Sequence, residues 1–493
     1  PMKTLADLLR QTAARHPDAV AVSGPGAAGP TRLTYAELRE AMEAGARFLR
    51  QAGRQPGDRV ILPAEPGPAW VAAFFAIQDA QLVAVPVPAD TPGDRLQYLA
   101  RWVGAGAVLP ASPPGFPASA TRRPTSGEAR RTIEVSPPGT RAASPGEAHP
   151  GNEPASGMTA VLAFTSGSTD QPRAVELSHA NLLANVAALR QVRQAAPGDA
   201  FLSLLPPSHL FELTAGLLGP LACGARVVYP GPLLPNRVLA ALRTEAITHV
   251  LCVPALLESL LQEVLDPLAG PGPRPGPIRG ASPMDTLRRW LAEPSSPALT
   301  TLRAELPRLL GGRLRSVIVG GAALDPAWWA IAVRLGLPLE TGYGLTEAGP
   351  VVSLGRLAEC PAGSVGRPLP GMEVRLGGHD EILVRGPSVM PRYHGDPAAT
   401  AAALEDGWLH TGDQGRLDAQ GFLFIDGRLK EVLVSAKGET VHPAEMEPHY
   451  ASPLFREHCV AGVRGPDGND IPTLFAVPAS ARIPAEELRR TFE

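Results

Sequence analysis

The chain has 493 residues, 44% apolar and 19% charged, with a net charge of −3. That length exceeds one small domain and suits two to four folding units at roughly 100 to 200 residues each. Interspersed charges of both signs exclude a broad basic footprint for nucleic acid. Four cysteines, Cys223, Cys252, Cys360 and Cys459, lie far apart with no CxxC pair. This argues against a zinc site or disulfide framework and predicts four buried thiols.

The N-terminal stretch PMKTLADLLRQTAARHPD lacks the apolar core of a signal peptide. The longest apolar run, AWVAAFFAIQDAQLVAVPVP, is broken by Gln78, Asp79 and Gln81, so no transmembrane segment is expected and the predicted location is cytoplasmic. RLTYAELREAMEAGARFLRQAG sets Thr34 and Glu37 in capping-box spacing, and puts Leu38, Met42, Gly45 and Leu49 on one helical side. RVILPAEP reads as a strand, PAWVAAFFAIQDAQ as a buried helix and LVAVPV as the next strand. Such alternation predicts α/β units around parallel sheets.

From about 110 to 157 the sequence is rich in Pro, Gly and Ser without periodicity, which predicts a flexible insertion within one domain. The pattern resumes with the strand TAVLAF and the helix HANLLANVAALRQV. Further on, RLRSVIVGG and LPLETGYGLTEAGP read as strands ending in glycine-rich turns. After residue 355, SVGRPLPGMEVRL, DEILVRGP and GFLFIDGR predict a small antiparallel β subdomain.

Between TAVLAF and the following helix lies TSGSTDQPR, a loop whose hydroxyls and backbone N–H groups suit a phosphate. The GxxxxGK[ST] spacing of the P-loop is absent. By itself such a loop is most simply a solvated turn. Three later segments follow it in order, namely ETGYGLTEAG (340–349), GWLHTGDQGRLD (407–418) and IDGRLKEVLVSAKGETVHPAEME (425–447).

With these four ordered motifs the chain resembles the adenylate-forming superfamily of acyl-CoA synthetases, adenylation domains and luciferases. Its style is similar to that of bacterial long-chain acyl-CoA or acyl-carrier-protein synthetases. The resemblance implies a large N-terminal domain (1–427) of α/β subdomains with parallel-type sheets and a small antiparallel β subdomain. A hinge and a partial, truncated α+β C-terminal domain (428–493) would follow.

The resemblance also implies activation of a carboxylic acid, a medium- or long-chain fatty acid or another apolar acid, by ATP and Mg²⁺. Pyrophosphate is released, and the acyl group passes to CoA or to the phosphopantetheine thiol of an acyl carrier protein. Thr165, Ser166, Gly167, Ser168, Thr169 and Arg173 would grip the β and γ phosphates. Tyr343, with Gly321, Ala322 and Gly344, would hold the adenine. Thr346 would meet the α-phosphate, Glu347 the metal and Asp413 the ribose, while Arg428 would brace the ribose or the closed state. His209 would stand beside the carboxylate, and Lys430 would be the hinge.

Two departures leave alternatives open. Asp170 stands where the family has glycine, and a carboxylate near a triphosphate is repelled unless screened. No residue matches the family's C-terminal catalytic lysine. An enzyme that only loads a carrier protein, and a weakly active homologue that binds nucleotide or acyl ligand as an interaction protein, are the other two readings.

Overall fold

A computed structural model describes residues 2–26, 29–109, 156–165, 173–193, 195–265, 297–429, 433–434, 440–441, 446–450, 454–464 and 470–479. The expected insertion lies almost wholly outside them, as do Ser166 to Thr169, Asp170 and Lys430. The chain divides into two units: Pro1–Glu373 with Arg385–Leu409, and Val374–Val384 with His410–Glu493.

The first unit carries two large sheets. In one, the strands Arg59–Ala64, Val83–Pro88, Ala107–Val108 and Thr159–Phe164 are parallel, and the antiparallel strands Ala174–Ser178 and Arg392–Tyr393 extend the edge. In the other, Val20–Gly26, Arg226–Val228, Ala200–Ser203, His249–Cys252, Ser316–Val319 and Leu339–Gly344 run parallel, with antiparallel strands at both edges. The strands Val83–Pro88 and His249–Cys252 are buried along nearly their whole length, as parallel sheets covered on both sides require.

The helix at Tyr35–Gln51 starts as its capping box predicts. Thr34 Oγ1 accepts from Glu37 N, and Glu37 Oε2 accepts from Thr34 N at 2.8 Å. Leu38, Met42, Gly45 and Leu49 are all buried on its inner side. It packs on the helix Pro68–Asp79, which is apolar on every face as far as Ile77 and buried along nearly its whole length. Inside that helix Trp70 stacks on Phe74, with ring centroids 5.4 Å apart.

In the second unit, Trp408–Leu417 continues from the first and pairs antiparallel with Leu423–Arg428. Glu373–Leu376 and Glu381–Arg385 extend the same sheet. A separate antiparallel ribbon joins Phe455–Arg464 to Asp470–Pro478. The mixed α/β architecture with a smaller antiparallel sheet is the one expected.

The cysteine expectation needs correction. Cys252 is buried, Cys223 and Cys360 are half-buried, and Cys459 is exposed. Cys459 sits on the two-stranded ribbon, where alternate side chains face solvent, and so escapes the usual burial of a thiol. Among the described residues no helix is long and apolar enough to cross a membrane.

Phe74 is fully buried. Phe74→Ala should lower the stability of the first unit by about 3–5 kcal/mol, read as a shifted urea midpoint at unchanged slope.

Candidate active site

The phosphate-loop candidate is a hairpin connection. The strand Thr159–Phe164 pairs antiparallel with Ala174–Ser178, a strand not anticipated between loop and helix, and Thr165 N donates to Arg173 O at 2.9 Å to close the loop's base. The run AVELS is too short and too close to the helix start to be distinguished from a loop end by periodicity. Glu176, on the second arm, is buried and pairs with Arg392 at 2.9 Å and with His394 Nδ1 at 2.7 Å. Burial acts to raise its carboxyl, but His394 and Arg392 together outweigh that and hold it below the usual range. The hairpin is thereby pinned to the strand Arg392–Tyr393.

That strand carries a residue for which the sequence offered no motif. Tyr393 donates from its hydroxyl to Glu347 Oε1 at 2.8 Å, and the Arg173 guanidinium lies over its ring, 5.3 Å from the centroid. Burial and the Glu347 carboxylate push the Tyr393 hydroxyl well above its ordinary pKa, so it stays a donor. Met390 N donates to Glu347 O at 2.8 Å, fixing the short 3₁₀ turn Thr346–Ala348. The structure thus assembles Thr165, Arg173 and Glu347 through Tyr393.

Glu347 is half-buried, and its Oε2 has no partner among the described residues. Those residues contain no cluster of three or more His, Cys, Asp or Glu that suits a metal. A single carboxylate with one free oxygen fits a hard cation that arrives bound to phosphate oxygens, as Mg²⁺ does, and not an all-protein cage.

Beside this group a cleft is lined by Leu189, Phe211, Ile318, Gly320, Tyr343 and Val351, with Gly321, Gly342 and Gly344 at its rim or wall. Gly321 has φ +82°, and Gly320 lets the Phe211 ring approach to within 3.3 Å of where a Cβ would stand. At Gly344 a Cβ would fall 2.0 Å from Pro350 O, so the strand Leu339–Gly344 can lie against the returning chain only with glycine there. Ala322 is exposed just beyond Gly321 and does not line the cleft.

His209 is exposed in the turn that precedes a π-helix, Glu212–Leu218, and it is Phe211 that reaches the cleft. The π-helical winding sets Phe211 and Ala215 on the cleft side, while Glu212 lies fully inside and accepts from Ser203 Oγ at 2.6 Å. Its carboxylate covers Gly216, where a Cβ would come within 2.4 Å of Oε1. Among the described residues neither Glu212 Oε2 nor the buried Tyr229 hydroxyl meets a hydrogen-bond partner. Burial pushes the Glu212 carboxyl up to about 7.

In the second unit Asp413 and Arg428 face each other across antiparallel strands, with Arg428 Nε 3.2 Å from Asp413 Oδ1. Asp413 is buried and Arg428 mostly exposed, so the pair offers one acceptor anchored in the sheet and one movable cation.

The family model for AMP-binding enzymes matches residues 9–394. The chain is 31% identical over 477 residues to a feruloyl-CoA synthase of Amycolatopsis, covering 93% of this chain and 87% of that protein. It is 29% identical over 463 residues to a long-chain-fatty-acid–CoA ligase of Mycobacterium tuberculosis, covering 88% and 75%. The fold matches o-succinylbenzoate CoA synthetase of Bacillus subtilis, solved with its acyl-adenylate, at TM-score 0.74 and 22% identity, covering 98% and 90%. The chain belongs to the AMP-binding enzyme family.

Two outcomes test the site's physics. Gly344→Ala should cost about 1–3 kcal/mol by forcing the strand off Pro350, measured by urea denaturation. Glu212 holds a proton in the folded state from its ordinary 4.5 up to about 7. Its stability contribution is therefore complete below pH 4.5 and is lost as pH rises through 7. Glu212→Gln should flatten that decline, which amounts to about 2–3 kcal/mol, in stability profiles across this window.

Proposed function

We propose that the protein is an AMP-forming acid–CoA ligase that activates a carboxylic acid with an apolar body. The observation that carries this reading is the meeting of the loop base (Thr165, Arg173) with Tyr393 and Glu347, three residues from the cleft wall at Gly344. One end of the arrangement suits polyphosphate, the other an apolar acid.

In the first half-reaction an oxygen of the acid attacks the α-phosphorus of ATP, and the bond to pyrophosphate breaks to leave acyl-AMP. In the second, a thiol sulfur attacks the acyl carbon and AMP departs. Phosphoryl transfer of this kind depends on positioning and charge neutralisation. Arg173 supplies a cation at the β and γ phosphates, held in place against the Tyr393 ring. Thr165, with Ser166 to Thr169, supplies donors around them. Glu347 would hold Mg²⁺, which neutralises phosphate charge when bound, and Tyr393 orients that carboxylate from its other oxygen. Thr346 meets the α-phosphate. Tyr343 packs on adenine beside Gly321, Ala322 and Gly344, Asp413 accepts from the ribose hydroxyls, and Arg428 braces them. His209 stands at the entrance to the acid cleft, and residues 428–493, with Lys430 as pivot, form the part that moves between the half-reactions.

CoA is the acceptor this reading favours, since the similar proteins named above are CoA synthases and ligases. Their acids include both ferulate and long-chain fatty acids, and the apolar cleft suits the body of either. A medium- or long-chain fatty acid is the finer expectation carried from the sequence.

Acid-dependent pyrophosphate release from a panel of aryl and alkyl acids tests the reading, with CoA and then a carrier protein added to identify the acceptor. No release with any acid in the panel, together with no acid-dependent exchange of pyrophosphate into ATP by the wild-type protein, would sink it. Glu347→Ala should abolish exchange. Tyr393→Phe, which removes one hydrogen bond to a charged group, should reduce it about 10-fold or more. Wild-type exchange in Glu347→Ala would show the metal assignment to be wrong.

A further inference from the structure

Among the described residues the cleft has a single charged side chain in its wall, Arg193, and the acid-activation reading does not use it. Arg193 follows the helix His179–Val192 as its C-cap. Its Nε lies 3.2 Å from Glu340 Oε2, and Nη2 donates to Glu340 Oε1 at 3.3 Å and to Ser316 Oγ at 2.5 Å. Nη1 has no partner among the described residues. The side chain is only 11% exposed.

Its place follows from strand register. Ser316–Val319 and Leu339–Gly344 run parallel, with Ile318 opposite Glu340. Both strands lead from the Arg193 end, at Ser316 and Glu340, to the nucleotide end, at Gly320 and Gly344. Four residues at about 3.3 Å each separate the two ends by roughly 13 Å. A second, smaller hollow begins at Arg193: it shares Leu189, Arg193 and Ala215 with the cleft and continues past Phe201 and Cys223. Arg193 therefore stands at the end of the cleft remote from the reacting carboxylate.

A purely structural role, tying the helix end to the two strands, accounts for Nε and Nη2. It leaves over Nη1, a donor with no partner among the described residues, on a cation that lines the cleft. A methyl terminus against this nitrogen would leave it unsatisfied, whereas an oxygen would satisfy it.

We propose that Arg193 is a specificity-determining residue whose Nη1 donates to an oxygen at the far end of the acid. The preferred substrate then carries a hydroxyl, ether or carbonyl group on the order of 10 Å from its carboxylate, the spacing set by the strand rise. This rests on the acid-activation reading. It distinguishes oxygenated aryl or alkyl acids from saturated acids that end in a methyl group.

The test is calorimetric binding to the full chain of two matched pairs: para-hydroxycinnamic against cinnamic acid, and ω-hydroxydecanoic against decanoic acid. In at least one pair the oxygenated acid should bind about 10- to 100-fold tighter, the range for a hydrogen bond to a charged donor. In the double variant Arg193→Met with Glu340→Met, which exchanges a buried ion pair for apolar side chains of similar volume, the ratio should fall to near one. If that variant does not fold, Arg193→Lys keeps a partner for Glu340 but loses the planar fork, and should cut the ratio several-fold. Ratios near one in the wild type, ratios that persist in the folded variant, or no binding of any of the four acids would overturn the proposal. A preserved ratio without pyrophosphate release would instead overturn the ligase reading alone.

Discussion

The parallel pairing of Ser316–Val319 with Leu339–Gly344 is the constraint on which the rest of the cleft depends. One end of the pair is fixed by the buried Arg193–Glu340 ion pair, with Ser316 bonded to the same guanidinium. The other end opens into the glycines at 320, 321, 342 and 344, where Gly344 admits the returning chain at Pro350 and Gly321 borders the open cleft. Ligands in open α/β sheets bind beyond the carboxyl ends of the strands, and the glycines and Thr346 lie there. A shift of one residue in this register would turn the cleft-facing side chains to the opposite face.

A second constraint holds the anion-binding end. Glu176 is buried, and its charge persists because His394 and Arg392 meet it from the neighbouring strand. The same strand brings Tyr393 to Glu347 and under Arg173. The buried acid thus does more than join two strands, since it sets the distance between the base of the hydroxyl loop and the carboxylate turn. The helix His179–Val192 adds to this frame: Asn185 Nδ2 donates to Val351 O at 2.8 Å, and Asn181 to Pro387 O at 2.8 Å. Polar side chains on an interior helix are tolerated because each finds a backbone carbonyl.

Much of the fold was legible in the sequence because its signals are local. The capping box at Thr34 and Glu37, the largely apolar helix Pro68–Asp79 and the short apolar strands each follow from spacing within a dozen residues. The strand Ala174–Ser178 was not legible, since five residues between a loop and a helix carry too little periodicity. The outward face of Cys459 was not legible either, because exposure on a two-stranded ribbon depends on what packs against it. In the site, Tyr343, Thr346, Glu347 and Arg173 sit in motifs of fixed order and were singled out. Tyr393, Phe211 and Arg193 were missed, for each lies in an ordinary stretch and gains its place only through partners far along the chain.

By itself the sequence determined the kinds of groups available and their order: a hydroxyl loop, a carboxylate turn and a set of glycine-ended strands. Those depend on composition and spacing over a few residues, where backbone geometry leaves few choices. Only the tertiary structure decided which groups meet. It put Tyr393 between Arg173 and Glu347, set Phe211 rather than His209 in the cleft wall, and closed the cleft with a buried cation from a helix end. The physical reason is that burial, ion pairing and close backbone approach are properties of segments separated by up to some 220 residues, such as Arg173 and Tyr393, and no local pattern encodes them.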